Sequence, residues 1–303
     1  MLDPELIEQL AGALGTEAGL IEKDWHVTRA LGVLTTIQHD QISPTFSGGT
    51  SLSKGWGLIK RFSEDIDFKV AGNASKRQRS DYRKQVITTL QEAGFVLCTE
   101  PLVSDSSKFF SANFSYPSQF TTGPGLRPHL RIEMSFHTPA LPAVTRPLQS
   151  MIGKALKKSP EVSAFPCVDP VETAADKLSA LAWRVCTRQR GTDGDDATVI
   201  RHLHDLAALE QLATVSAEFR DLVLQAAVAD SNRGGGTAPA SPADRFAAML
   251  HQLETDAAWA AEYDAYVHQV SFAQPDEIIA FGQALEAVKR LINALFEPSG
   301  LSG

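Results

Sequence analysis

The sequence predicts an α+β protein, with strands and helices interleaved over residues 1–150 and a helical domain over residues 151–303. Three observations lead there. Between residues 66 and 136, short segments alternate apolar and polar residues with the period of a half-buried strand. From Val171 onward the apolar spacing is helical and no convincing strand appears. Between the two patterns, the Pro- and turn-rich stretch 139–170 is where the boundary is expected.

The elements follow in order. Asp3 with Pro4 is a helix start, and Leu6, Ile7, Leu10 and Leu14 form a stripe that Gly15 ends. Residues 19–37 read as a second helix carrying Trp25, Leu31 and Leu34. Phe46 leads into Gly48-Gly49-Thr50-Ser51, after which 51–60 reads as a helix and 66–70 as a strand. A helix is expected over 76–92, stopped by Gly94, then strands over 95–99, 110–116 and 130–136. In the second half, helices are expected over 171–185, 197–212, 217–229, 243–273 and 275–296. The Gly-Pro run 231–242 reads as an exposed loop between helices. Trp25, Trp56 and Trp183 read as core aromatics.

Composition narrows the class. With 43% hydrophobic residues in 303, a substantial core is expected, and no apolar run approaches the length of a membrane span. Met1 to Glu5 lack a secretory signal's basic start, so a cytoplasmic protein is expected, without a membrane partner. Cys98, Cys167 and Cys186 are odd in number and form no CxxC, which argues for reduced thiols and against a thiolate zinc site. A net charge of -8 argues against nonspecific coating of nucleic acid. Two local basic tracks remain: Lys76, Arg77, Arg79, Arg83 and Lys84, and Arg184, Arg188 and Arg190. Such runs are more often solvated helix faces than ligand sites.

One constellation carries chemistry. On a strand, Asp65 and Asp67 share a face while Ile66 and Phe68 take the other, so two like charges lie side by side and call for a cation. Glycines in the preceding turn let backbone N–H groups approach a phosphate, and the following helix offers its positive end. Hard carboxylate oxygens suit Mg²⁺ or Mn²⁺. Glu133, alone among apolar neighbours on a nearby strand, would add a third acid. Two ions held in this way clamp the attacking and leaving oxygens of an in-line displacement at phosphorus. The plain alternative is an edge strand facing solvent beside an ordinary turn.

The stretch GGTSLSKGWGLIKRFSEDIDF resembles the AbiEii/AbiGii nucleotidyltransferase toxins. These are relatives of the mycobacterial MenT toxins and share the DNA polymerase beta-type nucleotidyltransferase core, a mixed sheet with flanking helices. GLIEKDWHVTRAL before it, and VETAADKLSALAWR and VIRHLHDLAAL after it, look like that family's helices in the family's order. The resemblance covers the chain from Gly19 to about Leu209.

What the resemblance implies can be placed residue by residue. Gly48, Gly49 and Thr50, with Ser51 beside them, match the nucleotide-phosphate turn; Asp65 and Asp67 match the metal pair, and Glu133 the third acid. Lys177 matches a phosphate-holding lysine and Asp205 a later active-site acid. Lys177 and Arg184 share one helix face, with Arg188 extending it. Arg201 and Asp205, four apart, also share a face, a spacing equally suited to a structural ion pair. Lys54 and Arg61 are further candidates for substrate phosphate, with solvation or neutralisation of the acids as the alternative. Where the family usually reads R-D-x-x-D-L, this chain has Arg201-His202-Leu203-His204-Asp205-Leu206, so a histidine replaces an acid.

By resemblance, the protein transfers NMP from an NTP to an RNA acceptor, the 3′ end of tRNA, with Mg²⁺ or Mn²⁺. It thereby blocks translation as the toxin of a toxin–antitoxin pair, in phage defence, with a separately encoded antitoxin. The helical C-terminal domain is expected to complete the site. Two alternatives stand at this stage: a nucleotidyltransferase of the antibiotic-modifying kind, and a nonenzymatic nucleotide- or antitoxin-binding protein.

Overall fold

The computed structural model describes residues 2–121, 127–193, 195–232, 238–239 and 241–296. The chain forms two compact units, Met1–Asp169 and Pro170–Gly303. This division falls later than the expected boundary after residue 150, because two strands in the turn-rich stretch belong to the first unit's sheet.

The first unit opens with helices α1 (Pro4–Leu14) and α2 (Ala18–Leu34). Asp3 caps α1 by accepting from the Glu5 N–H, and Gly15 ends it in the left-handed conformation. Strand β1 (Ser43–Ser47) follows, too short and too polar for its sequence to announce it. Next comes a helical segment, α3 (Gly48–Ser51), continuing as a π-turn over Leu52–Trp56. The expected helix over 51–60 is therefore shifted and shortened, since Gly57 at φ 66° stops it. Strand β2 (Asp65–Ala71) and helix α4 (Lys76–Glu92) come where expected, α4 with a capping box from Ser75 and Gln78.

The strand expected over 95–99 is only two residues, β3 (Val96–Leu97), and an unexpected β4 (Leu102–Ser104) follows it. Strands β5 (Phe109–Ser115) and β6 (Leu130–Ser135) match the alternation that predicted them. Strand β7 (Val144–Leu148), the short α5 (Met151–Ala155) and β8 (Val162–Cys167) were not anticipated. Pro147 and Pro166 obscure the strand pattern in both.

The sheet runs β3-β5-β6-β2-β1-β8-β7, with β4 also paired to β5. It is mixed: β2/β6 and β1/β8 are parallel, while β1/β2, β5/β6 and β7/β8 are antiparallel. One face is the core. Phe46, Ile66, Phe68, Ile132, Met134, Phe110 and Phe114 pack with Leu31 and Leu34 of α2 and Tyr82, Val86 and Leu90 of α4. Burial of that apolar area is the main stabilising contribution. The opposite face carries the alternate residues of β2 and β6, half-buried and polar: Asp65, Asp67, Lys69, Arg131, Glu133 and Ser135.

The basic run on α4 is divided. Arg79 donates to the Ala74, Ser106 and Ser107 carbonyls and Arg83 to Ser107, bracing a loop, whereas Arg77 and Lys84 stay exposed beside Asp81. Trp25, Trp56 and Trp183 are half-buried rather than fully buried. Each lies under a guanidinium: Arg29 over Trp25, Arg146 over Trp56 and Arg245 over Trp183.

On α2, His26 is stacked on Tyr116 with ring centroids 4.2 Å apart and edge-on to Trp25 and Phe95. Burial, then the charge of Arg29, pulls its pKa from 6.5 down to about 4. The unfolded chain therefore binds the proton first. The stability that depends on a neutral His26 is fully present above about 6.5 and is lost as pH falls toward 4. His26→Phe is expected to flatten the fall in Tm between pH 7 and 4, as measured by thermal melts across that range. Parallel curves for the two proteins would show that His26 plays no part in acid lability.

The second unit is helical: α6 (Pro170–Thr187), α7 (Arg201–Thr214), α8 (Phe219–Asn232), α9 (Pro242–Thr255), α10 (Ala258–Val270) and α11 (Phe281–Phe296). The single helix expected over 243–273 is two, broken at Asp256, which takes an extended conformation. The last helix starts later than expected, after a 3₁₀ turn at Pro275–Glu277. Helix α6 is central, packing on α7, α8 and α9 through Ala174, Ala175, Leu178, Leu181 and Ala182. Arg245, buried on α9, donates to the Pro239 and Ala227 carbonyls and to the Ser231 hydroxyl. Of the Gly-Pro run 231–242 expected as a loop, residues 233–237 and 240 lie outside the described residues.

Candidate active site

The turn and the acidic strand are built as one piece. In the β1/β2 pairing Ser47 lies opposite Asp67, so the chain leaves β1 beside that carboxylate. Gly48 has φ +72°, and a methyl group there would lie 2.1 Å from Asp67 Oδ2. Only glycine combines that conformation with that approach. A methyl on Gly49 would meet Arg61 Nη2 and Ser63 Oγ, each at 2.8 Å, so a buried guanidinium lies directly against the turn. The Thr50 hydroxyl donates to the Asp65 carbonyl, tying the helical segment to the strand.

The expected shared face of Asp65 and Asp67 is present: both are half-buried, while Ile66 and Phe68 are buried on the other side. Glu133 sits on the parallel neighbour β6 directly across from Asp67, and Arg131 across from Asp65. The Glu133 carboxylate accepts from Ser111 Oγ at 3.2 Å and lies 3.7 Å from Arg131 Nη1. Among the described residues no three acids, histidines or cysteines converge into a group able to hold a metal ion as placed. The donor set is nonetheless the hard-oxygen type that suits Mg²⁺. A cation already lies on it: Arg127 Nη1 is 2.7 Å from Asp65 Oδ1.

Three residues are placed differently from the sequence expectation. Thr50 and Ser51 are buried, the Thr50 hydroxyl bonded to backbone rather than facing an incoming phosphate. Lys54 is buried too, its ammonium 2.5 Å from Asp24 Oδ1 and 2.8 Å from Thr28 Oγ1. The second Asp24 oxygen accepts from the Met151 N–H, so Lys54 belongs to a structural knot joining α2, α3 with its π-turn, and α5.

In the second unit, Lys177 Nζ lies 2.7 Å from Asp205 Oδ2, and Asp205 is fully buried. His204 Nδ1 is 3.3 Å from the other Asp205 oxygen. Arg184 is half-exposed, 3.5 Å from Asp196, and lines a polar cavity of about 530 Å³ with Arg188, Asp195 and Asp196. Arg188 is committed elsewhere in that cluster, to Asp195 and Glu262, with its guanidinium over Trp259. His202 is buried with neither ring nitrogen hydrogen-bonded. Burial, then the charges of Lys177, Arg201 and Arg184, holds its pKa well below 6.5, so it is neutral near pH 7.

Three further residues of the acidic site, Lys23, Glu64 and Arg127, carry no signal in the sequence. Lys23 and Glu64 lie inside the stretches that carry the resemblance, but a buried ion pair between them has no local spacing to signal it. Arg127 ends a Gly-Pro-rich segment that reads as plain loop.

Residues 33–287 match the family described as nucleotidyl transferase AbiEii toxin, type IV TA system. The chain belongs to that family. As an AbiEii-family protein it is a nucleotidyltransferase of the toxin–antitoxin type, and its mixed sheet with flanking helices is the polymerase beta-like core expected of it. Its fold is similar to that of MenT4, a nucleotidyltransferase toxin from Mycobacterium tuberculosis H37Rv, with a TM-score of 0.58 at 22% identity over 97% of this chain and 98% of that one. No curated protein matches the sequence. No helix among the described residues is long and apolar enough to cross a membrane.

Proposed function

We propose that this AbiEii-family protein transfers NMP from an NTP to an RNA acceptor, the 3′ end of tRNA, and so blocks translation until an antitoxin relieves it. The observation that carries the reading is the juxtaposition of Gly48 and Asp67: a turn stripped of side chains against a carboxylate that shares its face with Asp65 and adjoins Glu133. The transfer breaks the α–β phosphoanhydride of the NTP, forms a phosphodiester with the acceptor hydroxyl and releases pyrophosphate. The Gly48-Gly49 backbone lets the triphosphate approach closely, and the Arg61 guanidinium beneath it offsets the negative charge. Asp65 and Asp67, with Glu133 beside them, would hold Mg²⁺, which supplies charge stabilisation at the reacting phosphorus. Lys177 and Asp205 are assigned to the same reaction by the family pattern, Lys177 toward phosphate, and Arg184 by the helix face it shares with Lys177.

The test is to incubate the purified protein with each labelled NTP and Mg²⁺ in the presence of total RNA and of an aminoglycoside antibiotic. One labelled NTP is expected to mark an RNA of tRNA length, whereas unlabelled tRNA beside a labelled small molecule would assign the acceptor to the antibiotic type instead. No transfer from any NTP to either acceptor would leave only the binding-protein alternative.

A further inference from the structure

Arg127 is delivered onto the acidic strand by a built network. Adjacent residues of α2, both nearly inaccessible, hold the segment between β5 and β6 at two places. Glu22 accepts from Ser118 Oγ and from the Gln119 and Phe120 N–H groups. Lys23 donates to the Arg127 carbonyl at 2.5 Å and to Glu64 Oε2 at 2.5 Å, and the same Glu64 oxygen accepts from the Arg127 N–H at 3.0 Å. With its backbone clamped on both sides, Arg127 extends its side chain to Asp65 Oδ1 at 2.7 Å, and Glu64 Oε1 lies 3.4 Å from the same nitrogen.

We propose that Arg127 is a positioning residue of the carboxylate pair, its guanidinium occupying on Asp65 the place that a divalent cation takes and yielding it when the cation binds. The proposal rests on the reading that Asp65 and Asp67 hold a metal. Glu64, Asp65 and Asp67 crowd negative charge into one strand start, and a guanidinium at hydrogen-bond distance relieves the repulsion while the metal is absent. Glu64 gives the displaced side chain a second carboxylate within reach, so only side-chain torsions need change. Arg127 is 30% exposed and Asp65 16%, so the pair is neither sealed from solvent nor fully screened.

Competition of this kind predicts that removing the charge tightens metal binding. The probe is Mn²⁺ alone, titrated by calorimetry into the metal-free full chain. Arg127→Gln is expected to bind Mn²⁺ about tenfold more tightly than wild type, while Arg127→Lys, which keeps the charge, stays within a few-fold of wild type. Both substitutions leave the backbone bonds to Lys23 and Glu64 available, and metal-free melts of the two variants close to wild type would verify the fold. Asp67→Ala is expected to abolish binding. If binding depends on Asp67 but Arg127→Gln is no tighter than wild type, or Arg127→Lys tightens equally, the proposal falls and the metal reading stands. If none of these proteins binds Mn²⁺, or if binding survives Asp67→Ala, the metal reading falls and takes the proposal with it.

Discussion

Asp67→Ala is expected to abolish nucleotide transfer and, in cells lacking the antitoxin, to remove the growth arrest that the wild-type protein causes. Asp67 lies on the polar face of β2 between two core residues, Ile66 and Phe68, that point the other way. Truncating it opens no cavity in the core and relieves repulsion with Asp65, so the fold should survive the substitution. The chemistry should respond far more strongly. Losing the ion that Asp67 would hold removes charge stabilisation at the reacting phosphorus, and even a single lost stabilising donor is worth roughly a hundred- to a thousandfold in rate. Transfer is measured with labelled NTP, and the arrested cells are examined for tRNA lengthened by one or a few nucleotides that no longer accepts an amino acid. Equal toxicity from wild type and Asp67→Ala would mean that binding alone arrests growth, and the enzymatic reading of the arrest would fall.

How much of this site was legible in the sequence depends on how local its causes are. The shared face of Asp65 and Asp67 follows from strand geometry, and the structure reproduces it together with the alternation on β6 that places Glu133 across from Asp67. Gly48 was legible as a turn residue, but that its missing side chain makes room for Asp67 required the β1/β2 register. Long-range partners were not legible. Lys54 turns to Asp24 and Thr28, thirty and twenty-six residues away in the chain, and Arg127 to an acid sixty-two residues before it. Strands β7 and β8 escaped because proline interrupts their alternation, and with them the first unit's true extent. The break between α9 and α10 escaped because Asp256 sits in a run whose apolar spacing is helical on both sides.

Lys177→Ala is expected to lose both stability and transfer, and the two losses have different origins. Asp205 is fully buried and its carboxylate lies 2.7 Å from the Lys177 ammonium, so truncating the lysine removes a cation from a desolvated acid. Breaking such a pair on one side costs about 3–5 kcal/mol, more than most single substitutions. A fall in transfer by this variant alone would therefore not distinguish a phosphate-binding lysine from a structural one. Lys177→Met combined with Asp205→Asn separates a pair that serves the reaction from one that only braces the fold, because removing both charges together takes away the uncompensated acid and should restore much of the melting temperature. Lys177→Arg keeps a cation but replaces a compact point charge with a wider planar group, so partial transfer is expected from it. If Lys177 contacts the nucleotide, the double variant melts near wild type yet transfers almost nothing, and its affinity for NTP is weakened. Transfer and NTP affinity at wild-type levels in a well-folded double variant would make the Lys177–Asp205 pair a brace between α6 and α7 and nothing more.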